Sequence, residues 1–221
     1  MTRKSLFGLA ALAALLVFAA VAFGASVKCT SGVTCNGTSG NDTIRGTRSA
    51  DTINGLAGND RINGRQGSDT IDGGTGRDRI LGGRGSDDIT GGDGKDRVKA
   101  GSGDDTVNGG DGNDRLAGQS GDDTISGDLG NDRIWGGKGD DTLNGGPGDD
   151  HISGGKGHDH INGGDGADVL SGRGDGGRTD VIDCGAGDGA VDVVYADFND
   201  VVQNCESTDV VHRPSHGPHH S

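Results

Sequence analysis

One carboxylate and one aliphatic side chain recur every nine residues, without a miss, over most of this chain. The carboxylates are Asp42, Asp51, Asp60, Asp69, Asp78, Asp87, Asp96, Asp105, Asp114, Asp123, Asp132, Asp141, Asp150, Asp159 and Asp168. Two places after each stands Ile, Val or Leu, from Ile44 to Leu170. A strict short period is the signature of a repeat architecture in which each unit buries its apolar residue only against its neighbours. Of the 221 residues, 48 are Gly, and hydrophobic residues make up 29%. One aliphatic residue in nine is too thin a core for ordinary hydrophobic folding. A net charge of −14 on so polar a chain would usually mean disorder. Disordered chains, however, do not hold Asp and Ile in phase across fifteen repeats.

With Gly37 as position one, position six is always Asp and position eight always aliphatic. Position one is Gly except at Ala100, and position four is Gly except at Ser49. Position two is often Gly, as at Gly74, Gly83, Gly92 and Gly101. Glycines at one, two and four are expected to take positive φ and turn the chain tightly. Positions seven to nine are then a brief strand whose side chains alternate, with position eight inside.

A second period doubles the first. Position seven is Arg in odd repeats (Arg61, Arg79, Arg97, Arg115, Arg133) and Thr in even ones (Thr52, Thr70, Thr106, Thr124, Thr142), with Asp88 the one break. Position nine of the even repeats is polar, as at Asn54, Asn108, Asn144 and Asn162. The structural unit is therefore an 18-residue coil giving one strand to each of two parallel sheets, one faced with Arg and the other with Thr and Asn. The fold class expected is all-β, a two-sheet β-solenoid. At about 4.8 Å per coil, fifteen repeats make a rod about 36 Å long.

The consensus G-G-x-G-x-D-x-U-x over residues 37–171 resembles the repeats-in-toxin, or hemolysin-type, calcium-binding nonapeptide. The resemblance implies a parallel β-roll with calcium ions between successive turns. It also implies that the fifteen aspartates named above are metal ligands together with turn carbonyls, Asp42 sharing an ion with Asp60, Asp51 with Asp69, and so on along each edge. Hard oxygen donors suit Ca2+. The thin core and the stacked carboxylates predict a chain that folds on binding calcium. Many proteins of the resembled family carry a toxin, protease or lipase domain and leave the cell by a C-terminal signal. Here an N-terminal signal is expected and no such domain is found, so toxin activity is not carried over.

The ends are read separately. Arg3 and Lys4, the apolar run Leu6 to Val21 and the small-x-small triplet Ala22-Phe23-Gly24 suit a secretory signal over residues 1–24. An uncleaved anchor holding the chain on the outer membrane face is the alternative. Residues 25–36, with Cys29 and Cys35, are expected to cap the solenoid. Residues 172–206, with Cys184 and Cys205, are expected to form degenerate last coils and a second cap. Asp180 and Asp192 are possible further ligands there. Four cysteines permit three pairings; proximity favours Cys29–Cys35 and Cys184–Cys205, in keeping with export. A zinc site on the four thiolates would want CxxC spacing, which is absent. Residues 207–221 read as a disordered His-rich tail, and His151, His158 and His160 as surface variation.

Function is bounded by what these residues exclude. There is no HExxH and no GxxxxGK[ST], and the paired carboxylates belong to the repeat, so an enzyme is not expected. Nor is nucleic acid, since no basic stripe dominates an acidic chain. No membrane contact is expected once the signal is cleaved, and the chain is expected to be a monomer. The reading is a secreted, extracellular calcium-binding structural module. The alternative is an adhesin-like binder of glycan, another surface polymer or ice, using the Thr/Asn or the Arg face.

Overall fold

The computed structural model describes residues 24–174, 178–185 and 190–205, together with the backbone of 210–212. Residues 1–23 of the expected signal segment 1–24 and the histidines from His216 onward lie outside these residues. Every element described is a strand. Two parallel sheets dominate, one of eleven strands and one of ten.

The first, called here the arginine sheet, takes its strands from Ser26–Lys28, Thr43–Arg45, Arg61–Gln66, Arg79–Arg84, Arg97–Ser102, Arg115–Ser120, Arg133–Lys138, His151–Lys156, Val169–Ser171, Val193–Tyr195 and Val210–His212. The second, the threonine sheet, takes Cys35–Asn36, Thr52–Asn54, Thr70–Asp72, Asp88–Thr90, Thr106–Asp111, Thr124–Leu129, Thr142–Pro147, His160–Asp165, Val181–Asp183 and Val201–Gln203. Through the regular repeats, neighbours pair at a register of 18 residues. Arg97 stands beside Arg79 on one side and Arg115 on the other, and Thr124 stands between Thr106 and Thr142. The expected coil and the expected order of sheets are both present.

Position eight fills the interior. Ile44, Ile62 and Ile80 on the arginine sheet and Ile53, Ile71 and Ile89 on the threonine sheet begin two facing columns of buried aliphatic residues, which run on to Val194 and Ile182. Burying these side chains is the hydrophobic contribution to folding, at about 1.5–3 kcal/mol each.

Two local expectations are corrected. The strand is longer than x-U-x: in the middle of the rod it runs for six residues, from position seven through position three, as in Arg61–Gln66 and Thr106–Asp111. Position one therefore lies inside the sheet and, like position eight, faces inward; Gly64, Gly91 and Gly109 are all buried. Secondly, position-one glycines do not have positive φ. Positions two and four do from Leu56 onward, including Gly92 at 103° and Gly94 at 140°, and four residues with side chains (Leu56, Arg65, Gln119 and Asp128) are held there as well. What position one needs is space. A methyl group on Gly109 would stand 2.6 Å from the Gly127 carbonyl oxygen and 2.7 Å from Asp114 Oδ2.

The ends close as expected. Cys29 is bonded to Cys35, which joins the first strand of the arginine sheet to the first of the threonine sheet. Cys184 is bonded to Cys205 across the last two coils of the threonine sheet. A disordered tail from residue 207 is corrected at Val210–His212, which pairs with Val193–Tyr195. The reason is in the chain: Asp209-Val210-Val211 repeats the step of Asp192-Val193-Val194.

Candidate metal centre

The turns between sheets bring the position-six aspartates into two rows, one along each edge. Asp42, Asp60, Asp78, Asp96, Asp114, Asp132, Asp150 and Asp168 form the first. Asp51, Asp69, Asp87, Asp105, Asp123, Asp141 and Asp159 form the second. All are buried. Within a row each carboxylate after the first is tied to the coil before it. The backbone N–H of Asp42 donates to Asp60 Oδ1 at 2.7 Å, that of Asp51 to Asp69 Oδ1 at 2.8 Å, and that of Asp78 to Asp96 Oδ1 at 2.7 Å. The rows run on past the repeats: Asp159 N–H donates to Asp180 Oδ1, Asp168 N–H to Asp192 Oδ1, and Asp180 N–H to Asp200 Oδ1. Asp180 and Asp192 thus take the same place as the regular aspartates. Asp200 does so too and was not among the expected ligands; its sequence signal is the Asp200-Val201-Val202 triplet.

The second oxygen is treated differently inside the rows. Oδ2 of Asp60, Asp69, Asp78, Asp87, Asp96, Asp105, Asp114, Asp123, Asp132, Asp141 and Asp150 is buried with no hydrogen-bond partner. A buried charged oxygen without a donor is a large cost unless a counter-charge meets it. The electrostatics agree. Burial pushes the carboxyl groups of Asp69, Asp78, Asp87, Asp105, Asp123 and Asp132 up to about 6, against the pull of the backbone N–H each accepts. Burial, with neighbouring carboxylates adding to it, pushes Asp96, Asp141 and Asp150 up to about 7.

The oxygen does not stand alone. The point a Cβ of Gly91 would occupy is 2.5 Å from the Gly109 carbonyl oxygen and 2.8 Å from Asp96 Oδ2. At Gly109 the Gly127 carbonyl and Asp114 Oδ2 meet in the same way. A carboxylate oxygen and a main-chain carbonyl of the next coil thus border one small space, kept open by glycine. No group of three or more His, Cys, Asp or Glu side chains gathers at one point among the described residues, so the oxygens on offer are one or two carboxylates plus backbone carbonyls. That donor set fits a hard divalent cation and fits zinc or copper poorly.

The rows end on protein donors. The backbone N–H of Thr38 donates to Asp42 Oδ2 at 2.5 Å, and the backbone N–H of Ala25 donates to its Oδ1. Thr47 N–H donates to Asp51 Oδ2 at 2.6 Å, with the Thr47 hydroxyl on Oδ1. Burial alone would raise the Asp42 carboxyl, but these amides and the Thr38 hydroxyl outweigh it and hold the group below its ordinary value. At the far end Asp197 N–H donates to Asp200 Oδ2 at 2.5 Å.

Other candidates are dispersed. His151 is exposed on the arginine sheet, His160 on the threonine sheet, and His158 in a turn with Nδ1 3.0 Å from the Thr179 carbonyl oxygen.

Fold and rows together define a parallel β-solenoid whose edges carry rows of carboxylate and carbonyl oxygens suited to a hard divalent cation. The family model of the RTX calcium-binding nonapeptide repeat matches residues 36–71, 63–98, 72–107, 90–125, 108–143, 117–151 and 144–178. The chain belongs to that family, and its cofactor is Ca2+, bound in several copies. No curated protein matches the chain.

Proposed function

We propose that this is a secreted, non-catalytic structural protein that folds when it meets extracellular calcium, and that the position-six aspartates from Asp42 to Asp168 form its ligand rows together with turn carbonyls. The unpartnered Oδ2 rows between Asp60 and Asp150 carry this reading. Calcium, when bound, supplies the positive charge that the interior of each row lacks. The chain's own residues do the rest: position-one glycines leave room beside each carboxylate, and Oδ1 bonds to the preceding coil hold the carboxylates in line. In the absence of a cation the stacked carboxylates oppose coil stacking, and the thin aliphatic interior offers little against them. Two disulfides at the ends suit an oxidising compartment.

Amides of the Thr/Asn face pair with one another at both ends of the sheet. Asn54 Nδ2 donates to Asn36 Oδ1 at 2.8 Å and Asn162 Nδ2 to Asn144 Oδ1 at 3.1 Å, which favours a self-paired structural face.

The test is a calcium titration of the purified chain followed by calorimetry and far-UV circular dichroism together. Uptake of many ions per molecule, rising in step with strand signal, is expected. Full strand signal in excess chelator, or uptake of only one or two ions, would sink the proposal.

A further inference from the structure

Composition hides a separation of charge that the fold makes plain. The strands of the arginine sheet between Ser26 and Tyr195 contain no Asp or Glu. They carry Lys28, Arg45, Arg61, Arg65, Arg79, Arg84, Arg97, Lys99, Arg115, Arg133, Lys138 and Lys156. The strands of the threonine sheet carry no Lys or Arg, and hold Asp72, Asp88, Asp111, Asp128, Asp165 and Asp183. An acidic chain thus presents one face on which every charged strand residue is a cation. The sequence argument that no basic stripe dominates holds for composition and fails for this surface.

The cations are stacked on one another. Arg61, Arg79, Arg97, Arg115 and Arg133 are direct neighbours in consecutive strands, about 4.8 Å apart. Like charges directly opposite across strands are unfavourable. No salt bridge joins these five arginines to a carboxylate among the described residues. Beside them Arg77 and Lys95, from the adjoining turns, meet Arg97 and Arg115 around a cleft of about 340 Å3 lined by these four cations alone. At the end of the Arg column stands Trp135, 44% exposed. It shares the outer face with Arg133. Its neighbours in register are Ala117 and Ser153, and Gly137 follows two places on, so small residues flank the indole. It borders a cleft of about 490 Å3 whose other edge carries Lys138 and Lys156.

We infer that the arginine sheet is a docking surface for a linear acidic polysaccharide, its carboxylate or sulfate groups on the guanidinium column from Arg61 to Arg133 and one sugar ring over Trp135. Guanidinium forks match such oxyanions in pairs. A polymer supplies many anions in line, matching a column of cations better than a single small anion would. The exposed indole beside the column favours a chain with flat, partly apolar rings. The inference rests on the calcium-held rod, since the column exists only where coils stack.

The test uses the full chain in millimolar calcium with four immobilised probes: a sulfated polysaccharide, a polyuronate, neutral dextran and duplex DNA. Binding to either acidic polysaccharide and none to dextran is expected, with affinity falling as salt rises. The preferred arm identifies sulfate or carboxylate. The triple variant Arg97→Gln, Arg115→Gln, Arg133→Gln is expected to abolish measurable binding. Trp135→Ala is expected to weaken it about tenfold, the scale of one lost aromatic stacking contact. Thr106→Ser with Thr124→Ser, on the opposite sheet, should leave it unchanged. Calcium-driven strand signal is recorded for every variant. A wild-type chain that folds with calcium but binds neither acidic polysaccharide overturns this inference alone; one that does not fold with calcium overturns the calcium reading. Binding untouched by the arginine substitutions, or duplex DNA held as tightly with no effect of Trp135→Ala, also overturns it.

Discussion

Asp42 and Asp96 occupy the same slot of the same repeat on the same edge, yet their carboxyl groups are driven in opposite directions. At Asp42 both oxygens are met by hydrogen-bond donors and the group is held below its ordinary value. At Asp96 one oxygen is met, the other is bare, and the group is pushed up to about 7. The difference lies four residues upstream. Thr38 and Thr47, at position two of the first two repeats, have ordinary φ and turn their N–H groups onto the carboxylate. From Leu56 onward position two has positive φ, and no such bond to Oδ2 forms from Asp60 to Asp150. The protein meets the first carboxylate of each row with its own amides and leaves the interior Oδ2 atoms without a donor.

The largest expected effect breaks the comparison outright. With calcium chelated, the interior coils should lose their strand signal in far-UV circular dichroism, while the region around Asp42, tied by Cys29–Cys35 and its own donors, keeps more amide protection in hydrogen exchange. Equal loss at both would show that the caps carry no special stability.

Acidity should act next, with opposite signs. Burial raises the interior aspartates to about 6–7 in the folded state, so they favour the ion-free fold fully below the ordinary carboxylate value of about 3.9, and this contribution fades as pH rises through about 6–7. The calcium-free chain should therefore gain strand signal on going from pH 7.5 to pH 4.5. Calcium competes with those same protons, so its apparent affinity should fall over that descent. Asp42, held low, contributes above its ordinary value and loses that contribution only in stronger acid.

A steric change is expected to be smaller. Gly109→Val places a branched side chain against the Gly127 carbonyl and Asp114 Oδ2, at a cost of about 1–3 kcal/mol by overpacking. Ala100 shows that a methyl group can be admitted at position one, so Gly109→Ala should lower the calcium-bound Tm less than Gly109→Val. The finest test exchanges the two environments. Thr38→Gly frees position two to adopt the interior backbone, and the Asp42 carboxyl, followed by NMR titration, should then rise. Asp42→Asn should cost about 1.5–3 kcal/mol even without calcium, the scale of a charge-assisted hydrogen bond. Asp96→Asn should ease the ion-free fold and weaken calcium uptake.

Much of this was legible because side chains report their own period. The alternation of Arg61 and Thr52 along the chain disclosed two sheets, and Ile44 through Leu170 disclosed the interior. What stayed hidden lay in residues with little or no side chain to report. Glycine at position one gives no hydropathy signal, so its inward place in a six-residue strand could not be read. Nor could its purpose, which is space beside Asp Oδ2 and not freedom of φ. Thr38 and Thr47 were visible as departures from glycine, but their backbone N–H bonds to Asp42 and Asp51 required the turn itself. The charge separation needed register as well, because Lys99, Lys138 and Lys156 follow no single repeat position.

The 18-residue register also governs how such a chain can lengthen. Inserting or deleting one nonapeptide would carry every later arginine column to the opposite side of the rod and set it above threonines. Two nonapeptides together leave all columns continuous and merely extend them. Viable relatives of this molecule should therefore differ in size by whole coils, and a designer wishing to tune its reach has a step of about 4.8 Å to work with.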